Sequence, residues 1–281
     1  MGKVSEFAGR RCIVATRHGK ERVIGPLLVA GLGVELVPLV SELNTDALGT
    51  FSGEIERKLG VDETLLKKCR MGLLAGGTDL AVASEGSFGP HPVLPFAALN
   101  EERVMLSDAS LGLQVIGRYA TARTNYAAGN VTGFDELLEF AARAWFPSHH
   151  VMLRNAEGAW RKGISTESEL RAAWEVMKSA SGAVWVETDM RAMCNPTRMD
   201  AIERATQDLV ERLTARCSRC AKPGVGWVRW VLGLPCSVCG SPTEWPRKAV
   251  HECPHCHNEV QLDFPQGMRA ADPGNCPQCN P

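Results

Sequence analysis

The sequence predicts an α/β fold, with a mixed, largely parallel sheet and flanking helices, plus a small C-terminal zinc-ribbon module. Three observations predict it. Strand-like and helix-like stretches alternate over the first 215 residues. Helical periodicity stops after Arg216, where Cys, Pro and Gly take over. Eight of the 11 cysteines fall in the last 65 residues, as four Cys-x-x-Cys pairs. The expected division is an α/β domain over 1–215 and a double zinc-ribbon module over 216–281.

The elements are expected in this order. Arg11–Thr16 is a short apolar strand, and Lys20–Ala30 a helix ending at Gly31. Val34–Val40 is a second strand, and Phe51–Leu74 a long helix that stops at Gly76-Gly77. Leu80–Ala83 is a third strand running into a Gly/Pro-rich loop, Ser84–Pro95. Val104–Ser107 and Leu113–Tyr119 are strands flanking a turn. Gly133–Trp145 is a helix, His150–Leu153 a strand and Thr166–Ser179 a helix. Ala183–Thr188 is the last strand, followed by a helix from Pro196 to Ala215.

Composition narrows the function classes. The chain is 44% hydrophobic and 22% charged, which suits a globular protein. A formal net charge of −1 gives no support to a dominant electrostatic partner such as bulk DNA or an anionic membrane. No apolar run approaches the ~18–20 residues that cross a bilayer. The N-terminal MGKVSEFAGRRC has no apolar signal core, so a cytoplasmic protein is expected. Disulfides are disfavoured in that compartment, so the clustered cysteines read as metal ligands.

The pairs are Cys217/Cys220, Cys236/Cys239, Cys253/Cys256 and Cys276/Cys279. Two intervening residues let a tight turn aim both thiolates at one metal, and two such turns complete a tetrahedral site. Two structural Zn²⁺ ions are expected. Sequential pairing, first with second and third with fourth, is the favoured arrangement, with a cross-braced one as the alternative. His251, His255 and His257 read as solvated neighbours of complete four-cysteine sets. Trp227, Arg229, Trp230, Trp245, Arg247 and Lys248 interleave aromatic and basic residues, a pattern that suits nucleic acid or packing onto the α/β domain.

Four polar clusters sit at expected strand ends, where open α/β sheets place ligands. Thr16-Arg17-His18-Gly19-Lys20 follows the first strand and opens a helix, a setting that suits a phosphate. Glu54 and Lys58 lie one turn apart, a carboxylate and a lysine able to hold Mg²⁺ against an oligophosphate. Glu85 and Ser87 enter the Gly/Pro-rich loop, in which His91 is a candidate acid or base. After the last strand come Asp189, Arg191, Asn195 and Arg198. Asn195 is a natural N-cap and Pro196 a natural first helical residue. Arg198 opposes the helix dipole there, so an anionic partner is expected: Asp189, Glu187 or a ligand. Cys12 and Cys69 read as packed thiols, and Cys194 lacks a partnering histidine.

Residues 11–96 resemble the inosine/xanthosine triphosphate pyrophosphatase (ITPase/Maf-like) superfamily. Thr16, His18 and Lys20 are similar to its Thr-x-Asn-x-x-Lys turn. Gly49, Thr50, Phe51, Glu54 and Lys58 are similar to its Gly-Thr-Phe-x-Glu helix, and Ser84-Glu85-Gly86 to its acidic loop. The whole chain is also similar to an uncharacterised bacterial family that carries the same Ala-Ser-Glu-Gly-Ser-Phe-Gly-Pro-His-Pro segment and cysteine tail. The first resemblance implies Mg²⁺-dependent hydrolysis of a nucleotide or related phosphate compound. Lys20, Arg191 and Arg198 would then face phosphates, and Glu54 and Glu85 the metal. The alternatives are nucleic-acid binding through the ribbons and nucleotide sensing without turnover.

Overall fold

The computed structural model describes residues 6–16, 18–38, 43, 59–91, 97–178 and 183–281. The chain forms two units, Met1–Leu209 and Val210–Pro281.

The first unit holds two sheets. In the five-stranded sheet, β1 (Arg11–Val14) lies between β2 (Glu35–Val37) and β3 (Leu80–Pro90), parallel to both. β4 (Ala98–Asp108) and β5 (Leu113–Thr121) then add antiparallel, in the order β2-β1-β3-β4-β5. The second sheet joins β6 (Ala128–Val131), β9 (Val184–Thr188), β7 (Val151–Arg154) and β8 (Trp160–Ile164), antiparallel throughout. The architecture is α/β and mixed, but not largely parallel. The expectation failed because Ser84–Pro90 continues β3 as a strand instead of opening a loop, which makes β3–β4 a long hairpin.

Local chemistry explains the helices. α1 (Glu21–Leu32) and α2 (Val61–Gly76) end at Gly33 and Gly77, both left-handed, as helix stops favour. α3 (Phe134–Arg143) buries Leu137, Phe140 and Ala141, one helical stripe. α4 (Glu167–Met177) opens on a full capping box between Thr166 and Glu169. α5 (Pro196–Thr214) starts at Pro196, with the Arg198 N–H donating to Asn195 Oδ1 at 2.9 Å. Residues 51–58 of the expected second helix, and residues 39–40 of the expected second strand, lie outside the described residues.

Strand alternation places two different layers on the five-stranded sheet. Ile13, Ala15, Ala81, Ala83 and Met105 pack with Leu65 and Cys69 of α2. On the other face, Gly117 of β5 meets the backbone of Ala205 and Leu209 of α5 so closely that a Cβ would collide. α3 and α4 cover the second sheet through Leu137, Phe140, Leu170 and Trp174 against Val151, Leu153, Val184 and Val186. Each such fully buried aliphatic side chain contributes roughly 1.5–3 kcal/mol.

The second unit carries a three-stranded antiparallel sheet: β10 (Gly226–Leu232), β11 (Pro246–Glu252) and β12 (Glu259–Asp263). It was not foreseen, and neither were β6 and β8. β6 reads Ala-Gly-Asn-Val and β8 carries Gly163, both poor local strand signals that sheet partners override.

Candidate functional site

β3 outruns β1. The β1–β3 register ends at Val14 and Val82, so the edge of β3 from Ser84 onward projects past the carboxyl end of β1. Lys20, at the start of α1, reaches this edge. Its Nζ donates to Ser84 Oγ at 3.0 Å and to the Ser84 carbonyl at 3.4 Å. Gly19, left-handed at φ +70, makes the turn that delivers it, and Thr16 Oγ1 accepts from the His18 N–H.

Register fixes which side chains share a face. Gly86 pairs Glu102 and Phe88 pairs Asn100, so these residues stand on the face of Ser84. There Arg198, only 1% exposed, donates from Nε to Glu102 Oε1 at 2.7 Å and from Nη1 to the Met190 carbonyl. Its guanidinium also lies 5.4 Å from the Phe88 ring centroid. Gly86 has no alternative, because a Cβ would run into the Glu102 carboxylate and the Arg198 guanidinium. This is why a strand tolerates glycine here. Lys20 and Arg198 thus bring two positive charges to one buried face, and Arg198 pairs there with Glu102. Among the described residues Lys20 has no carboxylate within ion-pair distance. Burial, followed by the neighbouring Arg198 and Lys68, pushes the Lys20 amine down to about 7.

Glu85 does not join that face. Alternation turns it toward α2, where Lys68 Nζ meets Glu85 Oε1 at 2.5 Å. This corrects the expectation that Glu85 and Lys20 flank one ligand. Ser87 shares the side of Glu85. His91 lies six residues past Glu85, about 20 Å along an extended strand, too far to act on the same small molecule. Arg17, Glu54 and Lys58 lie outside the described residues.

The cluster after β9 is internally matched. Arg191 takes Asp189, with Nη2–Oδ2 at 2.6 Å, and the Gly163 N–H donates to the same carboxylate at 3.0 Å. Burial pushes the Asp189 carboxyl up, but Arg191 outweighs it and holds the group below its usual range. Asn195 caps α5 and donates to Asn125 Oδ1 at 2.9 Å, so it is structural. Arg198 takes neither Asp189 nor Glu187, since its partner is Glu102, 96 residues away. Glu102 and Lys68 were missed by sequence reasoning, and Ser84 was named only within the expected acidic loop. A carboxylate in the strand pairing opposite Gly86 was the one available signal.

In the second unit the eight cysteines form two groups: Cys217, Cys220, Cys253 and Cys256, and Cys236, Cys239, Cys276 and Cys279. The ligands interleave in a cross-brace, which corrects the expected sequential pairing. Within each group all sulfurs lie within 4.8 Å of one another. The nearest pairs are at 3.6 Å (Cys217–Cys256 and Cys220–Cys253), 3.9 Å (Cys236–Cys279) and 3.6 Å (Cys239–Cys276). A tetrahedron with Zn–S of ~2.3 Å has edges of ~3.8 Å, whereas a disulfide needs ~2.05 Å. All cysteines are free thiols. Backbone N–H groups of Arg219 and Val238 donate to Cys217 Sγ and Cys236 Sγ. Cys239, beside Ser241, is held at about 6, whereas the Cys239 sulfur pushes Cys279 up to about 12. Four thiols this close cannot all ionise without a cation, so the donor set and spacing fit Zn²⁺.

These features define an α/β protein with a buried cationic cluster and a cross-braced module able to hold two zinc ions. The chain belongs to the DUF6671 family, a domain of unknown function, whose model matches residues 68–281. That match spans Lys68, Glu85, Glu102, Arg198 and all eight paired cysteines, and excludes Lys20. No curated protein matches the chain. No similarity to inosine/xanthosine triphosphate pyrophosphatases is found. No described helix is long and apolar enough to cross a membrane.

Proposed function

We propose that the first unit binds a small phosphate-bearing molecule at Lys20, Ser84 and Arg198, and that the second unit is held together by two structural zinc ions. The observation that carries the first part is the surplus cation. A buried charge is costly unless matched, and Lys20, beside the Arg198–Glu102 pair, has no carboxylate within ion-pair distance among the described residues. An anionic ligand supplies the match and restores the Lys20 proton. Phe88, stacked on Tyr126 at 5.7 Å, offers an aromatic wall beside it that favours a nucleotide over bare phosphate.

Mg²⁺-dependent hydrolysis is the finer reading and draws less support. Glu85 and Glu102 are both occupied by cations. Nucleic-acid binding by the second unit also draws less. Residues 210–281 carry eight Lys and Arg against six Asp and Glu. Two zinc–tetrathiolate centres would add four negative charges, making the loaded module acidic.

The test is calorimetric titration of phosphate, pyrophosphate and a nucleotide panel, with phosphate release followed in parallel with Mg²⁺. Saturable binding that weakens as pH rises above about 7 and is lost in Lys20→Met is the expected result. Release would add the hydrolase. Absence of saturable binding to every member, or equal binding by Lys20→Met, overturns the proposal.

A further inference from the structure

A second polar arrangement lies on a different side of α5, within the first unit. A cleft of about 270 Å³ is lined by Tyr119, Thr121 and Arg123, and by Thr197, Asp200 and Arg204 of α5. At its wall Thr197 Oγ1 stands 2.8 Å from His149 Nε2, and His149 Nδ1 stands 3.0 Å from Ser148 Oγ.

Counting protons fixes the polarity of this chain. Ser148 has one hydroxyl proton and gives it to the Trp145 carbonyl at 2.8 Å. Ser148 Oγ must therefore accept from His149, so Nδ1 carries the imidazole proton and Nε2 is bare. The Thr197 hydroxyl then donates to Nε2. The Trp145 ring packs edge-on against the imidazole, with centroids 5.1 Å apart, and helps hold its plane. Burial lowers the His149 pKa below its ordinary 6.5; Asp200 raises it, and His150 and Arg123 lower it. The imidazole is neutral at pH 7. A hydroxyl donating to a bare ring nitrogen, whose other nitrogen is held by a third group, is the arrangement of an activated nucleophile. His149 Nε2 also accepts the Thr197 backbone N–H at 3.4 Å, which confirms that this nitrogen is the acceptor, while Asn195 Oδ1 caps the Arg198 N–H of the same turn.

The cleft lining indicates the ligand class. Among the described residues Arg123, Arg204, Asp200 and Glu203 make no ion pair, Glu203 meeting only the Gln207 amide at 3.5 Å, so two cations and two carboxylates line the space. The volume is near the lower limit of small-molecule pockets, which are about 300–1,000 Å³. We propose that Thr197 and His149 form a nucleophile–base pair that hydrolyses a small zwitterionic ester, one of amino-acid size carrying both an ammonium and a carboxylate. Thr197 Oγ adds to the ester carbonyl carbon as its proton passes to His149 Nε2. The bond to the alcohol oxygen breaks and that oxygen takes the proton, leaving an acyl-threonine. Water, deprotonated by Nε2, then releases the acid and returns the proton to Thr197. The sum is ester plus water to acid plus alcohol, with no redox change.

The probes are O-acetylserine, a zwitterionic ester, and p-nitrophenyl acetate, an uncharged one, with the full-length wild-type chain. Expected are preferential turnover of O-acetylserine and an acetyl adduct on the peptide containing Thr197. The rate should rise through a His149 pKa below 6.5. Thr197→Val and His149→Gln should lower kcat/KM of the folded protein by roughly 10²–10⁴-fold, and Thr197→Ser should retain turnover. A purely structural pair would shift melting without an adduct. Failure to turn over either ester, or equal turnover by wild type and Thr197→Val, overturns the proposal. If Thr197→Val does not fold, the adduct on wild type and on Thr197→Ser decides it.

Discussion

The Glu102–Arg198 pair permits a quantitative prediction. Both side chains are fully buried, and Arg198 belongs to a helix and Glu102 to a strand 96 residues apart. Glu102→Ala leaves a guanidinium in the interior, close enough to Lys20 to depress its pKa. Removing one partner of a buried pair costs about 3–5 kcal/mol. For a unit of this size, 1 kcal/mol corresponds to about 2–4 °C in Tm, so the melt should fall by roughly 6–20 °C. The paired replacement Glu102→Leu with Arg198→Met removes both charges. It should recover wild-type stability to within about 1–2 kcal/mol, because apolar substitutes for buried pairs are often neutral or better. Calorimetric melts of wild type, Glu102→Leu, Arg198→Met and the double variant complete the cycle. A single variant within about 1 kcal/mol of wild type, or a double variant no better than Glu102→Ala, would refute the assignment of Glu102 as the partner of Arg198.

Two other predictions follow from the same structure. Metal analysis should find two zinc ions per chain. Cys217→Ser with Cys236→Ser should retain none and Cys217→Ser with Cys253→Ser should retain one, whereas sequential ribbons would give the reverse. For Lys20 the folded pKa of about 7 lies below the unfolded 10.5, so the unfolded chain binds more protons between those values. Stability contributed by this residue therefore rises with pH across that window. Lys20→Met should be more stable than wild type at pH 7 by a few kcal/mol, about 1.4 per pKa unit. The gap should close by about pH 10, and urea titrations at both pH values measure it.

Legibility tracked locality. The stop at Gly77 and the start at Asn195-Pro196 were readable because these residues act through their own backbone geometry, whereas the first helix runs past the expected Gly31 and caps at Gly33. The cysteine spacing announced metal sites, but not which pair shares a metal, since that depends on how the intervening chain folds back through β10 and β11. The Gly/Pro content of Ser84–Pro90 concealed a strand. Gly86 is there because Glu102 and Arg198 fill the volume its side chain would occupy, a reason visible only in three dimensions. Lys20 and Arg198 were identified as candidates one by one. Glu85 was misplaced for a simple reason: strand alternation decides its face, and the residue was taken for part of a loop.

The charge distribution around β3 argues against a purely structural reading of the cluster. On the α2 face Lys68 and Glu85 cancel, as an interior pair should. On the other face Arg198 pairs with Glu102, whereas among the described residues Lys20 meets the hydroxyl and carbonyl of Ser84 and no carboxylate within ion-pair distance. A methionine at position 20 would fill similar volume without desolvating an amine, so the lysine lowers stability at neutral pH. A residue that destabilises the fold and holds a positive field at a strand edge is expected where an anion must be recognised. The substitution that makes the first unit more stable should therefore be the one that stops it binding phosphate. A Lys20→Met chain that gained stability and kept its ligand would separate the two properties and remove the physical basis for placing the site there.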